Sequence, residues 1–326
     1  MIDFKAKKYF ILDLDGTLYA GSQLFPYTIE FLRTLRKTGR KPVFLTNNSS
    51  KSTDEYYTKL KRLGIAQKPG EIYTSGQATI EFLLARDIRK IFLLAVPAVE
   101  REFANAGFNL VNPGSNTQDQ NGLSKPENFD NRRTSLRFVR AVPGHRSRIK
   151  QKLAKKSSSR SVILAADNAP QAVVLAFDTT FTYEKFCRAH ELITAGVPFY
   201  ATHPDNLVPL ENNNFHPDIG TLISAFHAAT GKRPFIIGKP EKPIYKQLQE
   251  RLGCKKNEMV MVGDRLYTDI KGANDYGIDT VLVMSGETTR AMLKKAVKEA
   301  DGKAGARQNP TIVAENVGQL ISHLQH

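Results

Sequence analysis

Four short polar clusters in this chain carry side chains capable of joint chemistry: Asp13 with Asp15, Thr46 with Asn47, Lys239, and Asp264 with Asp269. Two carboxylates one residue apart, as in Asp13-Leu14-Asp15, repel unless a positive charge lies between them. A divalent cation is the economical partner, and an all-oxygen ligand set suits Mg²⁺. A hydroxyl, amides and a lysine ammonium could hold the oxygens of a phosphoryl group, while a carboxylate could attack phosphorus and form an aspartyl-phosphate. Each cluster alone also has an ordinary reading. A lone Asp-x-Asp is a common solvated strand end, Lys239 a solvated lysine and Thr46 a strand-end hydroxyl. Asp264 to Asp269 alone reads as a helix N-cap with a first-turn acid. The joint pattern points to chemistry, provided the fold gathers all four.

The elements that must do the gathering are legible as alternating strands and helices. Residues 9–12 are a short apolar run stopped by Asp13, Asp15 and Gly16, the pattern of a buried parallel strand followed by a sharp turn. Residues 26–38 have amphipathic helical spacing. Residues 41–46 form a second strand, ending in hydroxyl and amide residues. Residues 52–63 read as a helix capped by Ser52 or Thr53, with Glu55 in its first turn and Gly64 as its stop. A third short strand is expected near residues 71–75. Such alternation predicts a doubly wound parallel sheet, in which ligands bind in the crevice at the carboxyl ends of the strands. Further along, strands are expected at 90–96, 172–178, 197–202, 235–237, 259–263 and 280–284. Helices are expected at 77–86, 98–106, 182–195, 218–230, 243–252, 270–276 and 317–324. There is no internal repeat.

With 326 residues the chain is long enough for two cores, and 41% hydrophobic with 24% charged residues is ordinary for a globular protein. Cys187 and Cys254 stand in unrelated contexts without metal-ligand spacing, as expected of free thiols in a reducing compartment. The first ten residues hold no apolar run of signal-peptide length, and the apolar run at 91–99 is too short to span a membrane. The expectation is a cytoplasmic protein with no membrane association. The net charge is +15, but residues 113–160 carry 12 Lys or Arg against 3 acids, leaving only +6 for the rest. That segment reads as a basic, poorly ordered loop. It could attract anionic substrates, acidic partners or RNA. With two Phe and no interleaved stacking pattern it lacks the signature of a nucleic-acid platform, so nucleic acid is not the expected partner.

The phrases DLDGT, TNNSS, GKP and GDRLYTD, in this order, resemble the four motifs of the haloacid-dehalogenase-like (HAD) phosphatases. FDTTFTYEK at 177–185 and ATHPD at 201–205 look like the NagD and 4-nitrophenylphosphatase branch, subfamily IIA. The resemblance covers nearly the whole chain outside 113–160. It implies an α/β architecture: a Rossmann-like doubly wound parallel core from residues 1–76 and 206–326, with an inserted α/β cap domain at 77–205. It further implies a Mg²⁺-dependent phosphatase acting on a small phosphorylated metabolite, such as a sugar phosphate, phosphoglycolate or a nucleoside monophosphate. Asp13 would be the nucleophile, and Asp15 the general acid and then the base. Thr46 and Asn47 would bind the phosphoryl oxygens, and Lys239 would offset charge. Asp264 would bind the metal beside Asp13 and the main-chain carbonyl of Asp15, with Asp269 supporting the metal shell.

Arg265 is read as structural, pairing with a nearby acid. Many relatives have Asn where this chain has His203, which puts an imidazole at the expected cap–core seam in a packing, hydrogen-bonding or catalytic role. A homo-oligomer through the cap is compatible with the resemblance. Two alternatives share parts of the pattern: a nucleic-acid-binding protein using the basic segment, and a phosphotransferase with an acceptor other than water.

Overall fold

The computed structural model describes residues 2–111, 169–209, 215–300 and 308–325. The basic segment 113–160, expected to be a loop, lies outside the described residues.

The strands, in chain order, are β1 (Tyr9–Leu12), β2 (Tyr19–Ala20), β3 (Gln23–Leu24), β4 (Lys41–Thr46), β5 (Ile72–Thr74), β6 (Lys90–Leu94), β7 (Asn109–Leu110), β8 (Ala172–Leu175), β9 (Phe199–Ala201), β10 (Leu207–Pro209), β11 (Phe215–Pro217), β12 (Phe235–Ile236), β13 (Met259–Gly263), β14 (Asp279–Val283) and β15 (Ile312–Ala314). Six of them form the core sheet in the order β15-β14-β13-β1-β4-β5, every pairing parallel. The β1 residues show why this sheet is stable. Ile11 faces a cluster with Val43, Leu45 and Met261, whereas Phe10 and Leu12 face another with Phe44, Val260 and Val262. Successive side chains point to opposite faces, and both faces are buried, so the strands read as continuous apolar runs rather than alternating ones.

A second parallel sheet has the order β12-β9-β8-β6-β7. Its Ile91, Leu93 and Val174 join the same cluster as one face of the core sheet, while Phe92, Leu94, Val173 and Leu175 pack on the other side with residues of the helices Tyr183–Ala195 and Ile219–Thr230. The α/β class and the separate inserted sheet agree with expectation. One element does not. The strand expected to deliver Lys239 pairs with β9 of the second sheet, not with the core, and the helix Ile219–Thr230 packs there too. The second sheet therefore draws on residues beyond 205, where the core had been expected to resume. Periodicity gives a strand's existence but not its partner, and two residues are too few to specify one.

Local signals account for the helix that follows β4. Ser52 Oγ accepts from the Glu55 N–H and the Glu55 carboxylate accepts from the Ser52 N–H, a reciprocal capping box at the start of Thr53–Arg62. The predicted helix at 270–276 is Lys271–Tyr276, preceded by a wider turn at Leu266–Ile270. Among the described residues no helix is long and apolar enough to cross a membrane.

Candidate active site

The carboxyl ends of β1, β4 and β13 lie side by side, which places Asp13, Thr46 with Asn47, and Asp264 around one crevice. Lys239 arrives from outside the core sheet, three residues after β12 ends. Its buried ammonium donates to Asp13 Oδ1 at 2.5 Å and to Asp269 Oδ1 at 2.7 Å. Burial works to lower the Lys239 pKa, but the two carboxylates outweigh it and hold the amine protonated, above its ordinary value.

The acids respond in the opposite sense. Burial pushes Asp13 well above the usual carboxylate range; Lys239 opposes the shift, and Asp269 and Asp264 add to it. Asp264 is pushed up to about 7, by burial first and by Asp269 second. Ligand oxygens of Asp13, Asp264 and Asp269 lie within 4.8 Å of one another. Asp264 Oδ2 accepts from the Glu287 N–H at 2.6 Å, while Asp264 Oδ1 is buried without a hydrogen-bond partner. A side chain at Gly16, where φ is +83°, would strike that carboxylate at 2.5 Å, and Gly286 also leaves it room. Three desolvated carboxylates with an orphaned oxygen form a donor set that fits a divalent cation.

Asp15 stands outside this cluster. Asp15 was expected among the metal residues only through its main-chain carbonyl, which leaves its carboxylate for another task. Burial raises its pKa, with Lys59 and Arg265 pulling back and the Tyr19 hydroxyl bonding it. A carboxyl with a raised pKa suits a general acid better than one at its ordinary value. Asp269 belongs to the cluster, yet both its oxygens are engaged, Oδ1 by Lys239 and Oδ2 by the Arg265 N–H at 3.2 Å.

The crevice itself is small, about 40 Å³, lined by Asp13, Asp15, Thr46, Asn47, Asn48, Asp205, Lys239, Arg265 and Thr268. All the predicted site residues but Asp264 and Asp269 face it directly, and those two sit behind it. Thr46 Oγ1 accepts from the Asn48 N–H at 3.1 Å, which fixes the hydroxyl at the crevice edge.

Asn47 makes further bonds within the protein. Its Oδ1 accepts the Lys239 N–H at 2.8 Å and its Nδ2 donates to the Lys239 carbonyl at 2.8 Å and to Asp205 at 3.2 Å. Both ends of its side-chain amide thus hold the main chain of Lys239, while the residue also lines the crevice. Sequence reasoning missed Asp205 and Asn48, although both lie inside phrases it had singled out, ATHPD and TNNSS. Arg265 does pair with an acid, Glu287, at 2.9 Å, but it also lines the crevice. His203 is fully buried; its Nε2 lies 3.2 Å from Ser49 Oγ and 3.8 Å from Asp218. It packs behind the crevice wall and does not line it.

A parallel α/β core with an inserted sheet, and a nucleophile-ready aspartate held by a buried lysine beside an acidic cation cradle, defines the class. Residues 10–109 match the family described as haloacid dehalogenase-like hydrolase, and residues 236–320 match a second family model of HAD-hydrolase-like type. The 4-nitrophenylphosphatase of Thermotoga maritima is 32% identical, covers 98% of both chains and superposes with a TM-score of 0.73. The glycerol-3-phosphate phosphatase of Homo sapiens is 29% identical over 97% of this chain and 90% of its own. A 5'-nucleotidase of Bacillus subtilis is 29% identical over 88% of this chain and 90% of its own. The chain belongs to the haloacid dehalogenase-like hydrolase family, in its NagD and 4-nitrophenylphosphatase-like branch. It is a HAD-type phosphatase, a phosphoric monoester hydrolase, of a family that uses a divalent metal.

Proposed function

We propose that this enzyme hydrolyses small phosphomonoesters with Mg²⁺ through a phosphorylated Asp13. The observation that carries this reading is the short contact between Lys239 and Asp13 within a cluster of carboxylates whose charge a divalent cation would balance. A carboxylate oxygen of Asp13 attacks phosphorus as the ester P–O bond breaks, and Asp15 gives its proton to the departing alcohol oxygen. Asp15 then takes a proton from water. The resulting nucleophile attacks the same phosphorus, breaks its bond to Asp13 and releases inorganic phosphate. Lys239 favours the ionised form of Asp13 and offsets the charge of the transferring group. Thr46 Oγ and main-chain N–H groups of the loop after β4 meet the phosphoryl oxygens.

Asp13 and Asp264, with Asp269 behind them and the main-chain carbonyl of Asp15, are the groups that would hold Mg²⁺. When bound, the ion would supply positive charge against the nucleophile and the phosphoryl oxygens. The test is phosphate release from a panel of monoesters with Mg²⁺ and with EDTA, for the natural chain and Asp13→Asn. Release should require the metal and vanish in the variant. Turnover that survives Asp13→Asn would remove the covalent mechanism. The same base would activate an alcohol as readily as water, so product analysis with added alcohols separates hydrolysis from transfer.

A further inference from the structure

The crevice is too small for anything beyond the phosphoryl group, so the rest of the substrate must lie elsewhere. A cavity of about 590 Å³ adjoins it, and Asp205, Arg265 and Thr268 line both. A substrate with its phosphorus at Asp13 therefore extends its leaving group into this larger space. The volume falls within the ~300–1,000 Å³ that takes a drug-sized molecule. A two- or three-carbon alcohol would leave most of it to water.

The wall chemistry narrows the choice. Leu207, Phe215 and Tyr267 are 52%, 57% and 43% exposed, unusual for side chains of this kind on one cavity, and Pro204 and Pro240 extend the apolar surface. The Tyr267 ring is held in place because its hydroxyl donates to Glu287 at 2.6 Å. Glu287 also pairs with Arg265, and Asp205 accepts from Asn47. The charged groups described on this wall are thus engaged, and they number two acids against one base. The one cation among them, Arg265, already pairs through Nε with Glu287. Neutral polar groups complete the wall: Thr268 Oγ1, buried without a partner, and the side-chain amide of Asn206.

We infer that the preferred substrates are phosphate esters whose alcohol carries a planar ring, of the nucleoside or aryl-alkyl kind, and that Tyr267 and Phe215 read that ring. Short polyol phosphates and phosphorylated hydroxy acids are poor substrates. Fixed aromatic faces recognise a flat π-system at little entropic cost, and a wall of net negative charge disfavours a carboxylate. This rests on the phosphatase reading above.

Four esters of primary alcohols share similar intrinsic reactivity and so report the pocket: a purine nucleoside 5'-monophosphate, benzyl phosphate, glycerol 3-phosphate and 2-phosphoglycolate. With Mg²⁺, kcat/KM for one or both ring-bearing esters should exceed that for the other two by about 10-fold or more, the effect of one base–aromatic stack. The first two substrates separate a nucleoside from a simple aryl preference. In Tyr267→Ala and in Phe215→Ala, which lie on separate elements, the ratio of ring-bearing to ring-free kcat/KM should fall toward one. Equal or better turnover of glycerol 3-phosphate or 2-phosphoglycolate by the natural chain would overturn the inference and leave the phosphatase reading standing. So would a ring preference that neither substitution reduces. Failure to hydrolyse any of the four would take down both.

Discussion

Asn47→Ala separates two roles that the sequence cannot tell apart. If Asn47 binds phosphate, its loss weakens substrate binding; if it holds Lys239, its loss disorders the catalytic ammonium. The geometry favours the second, with two 2.8 Å bonds to the N–H and C=O of a single residue that is 2% exposed. Removing the amide strands both main-chain groups in a buried site, at about 1–3 kcal/mol each. Allowing for relaxation, the variant should lose roughly 2–4 kcal/mol of stability, a fall in Tm of about 4–10 °C for a chain of this size. The ammonium, tied to Asp13 at 2.5 Å, would drift with its backbone. A displacement of ~1 Å at a reacting centre can cost about 100-fold in rate. Steady-state kinetics on 4-nitrophenyl phosphate should therefore show kcat down about 100-fold with KM within a few-fold, alongside the lower Tm. A raised KM with kcat and Tm unchanged would mean that a uniform binding contact had been removed, and would refute the clamp.

Asp15→Asn should slow alkyl phosphates far more than 4-nitrophenyl phosphate, whose leaving group needs no proton; a uniform loss measured across both would argue against Asp15 as the acid. The raised acids predict a pH-dependent stability in metal-free protein. A carboxyl whose folded pKa is raised binds more protons in the folded than in the unfolded state, so its contribution is complete below pH ~4 and is lost as pH rises through the folded value. For Asp264 that value is about 7, so in EDTA the Tm should fall between pH 5 and 7.5, and Mg²⁺ should restore more of it at 7.5 than at 5, as read by calorimetry. Ser49→Ala removes the hydroxyl that accepts from the Phe177 N–H at 2.9 Å and meets Thr202 and His203 at 3.2 Å. It should cost about 1–3 kcal/mol, seen as a lower urea midpoint, and a midpoint equal to the parent's would mean that these contacts carry no stability.

The parts legible in the sequence were those in which one local rule decides the outcome. The run at 9–12 had to be a buried strand because nothing polar interrupts it before Asp13, and Ser52 with Glu55 had to open a helix because each completes the other's cap. Three of the four polar clusters could be tied together because parallel strands end on the same edge. Lys239 escaped that logic. Its strand is two residues long and belongs to the other sheet, so its position depends on Asn47 and Asp205, a tertiary fact with no period to betray it. Asp269 and Asp264 looked alike as acids five residues apart. Only the fold shows one with both oxygens occupied and the other with an oxygen to spare.

The tripeptide Asn47–Ser49 shows why the second sheet and the chemistry cannot be treated separately. Asn47 bonds Lys239, which follows β12, and Asp205, which lies beyond β9; Ser49 bonds Phe177 beyond β8 and meets Thr202 and His203 beyond β9. Three adjacent strands of the second sheet are thus pinned at their carboxyl ends to one loop of the core, the loop whose Thr46 faces the phosphoryl crevice. Buried hydrogen bonds of this kind are expensive to break, so they hold the two sheets in one arrangement at this seam. Substrate reading and phosphoryl chemistry then share a frame. Asp205 belongs to the pinned strand ends, lines both the crevice and the larger cavity, and bonds the residue that holds Lys239. A change in the wall that reads the leaving group therefore reaches Lys239 through two hydrogen bonds, which gives a physical route by which specificity and rate become linked in this branch of the fold.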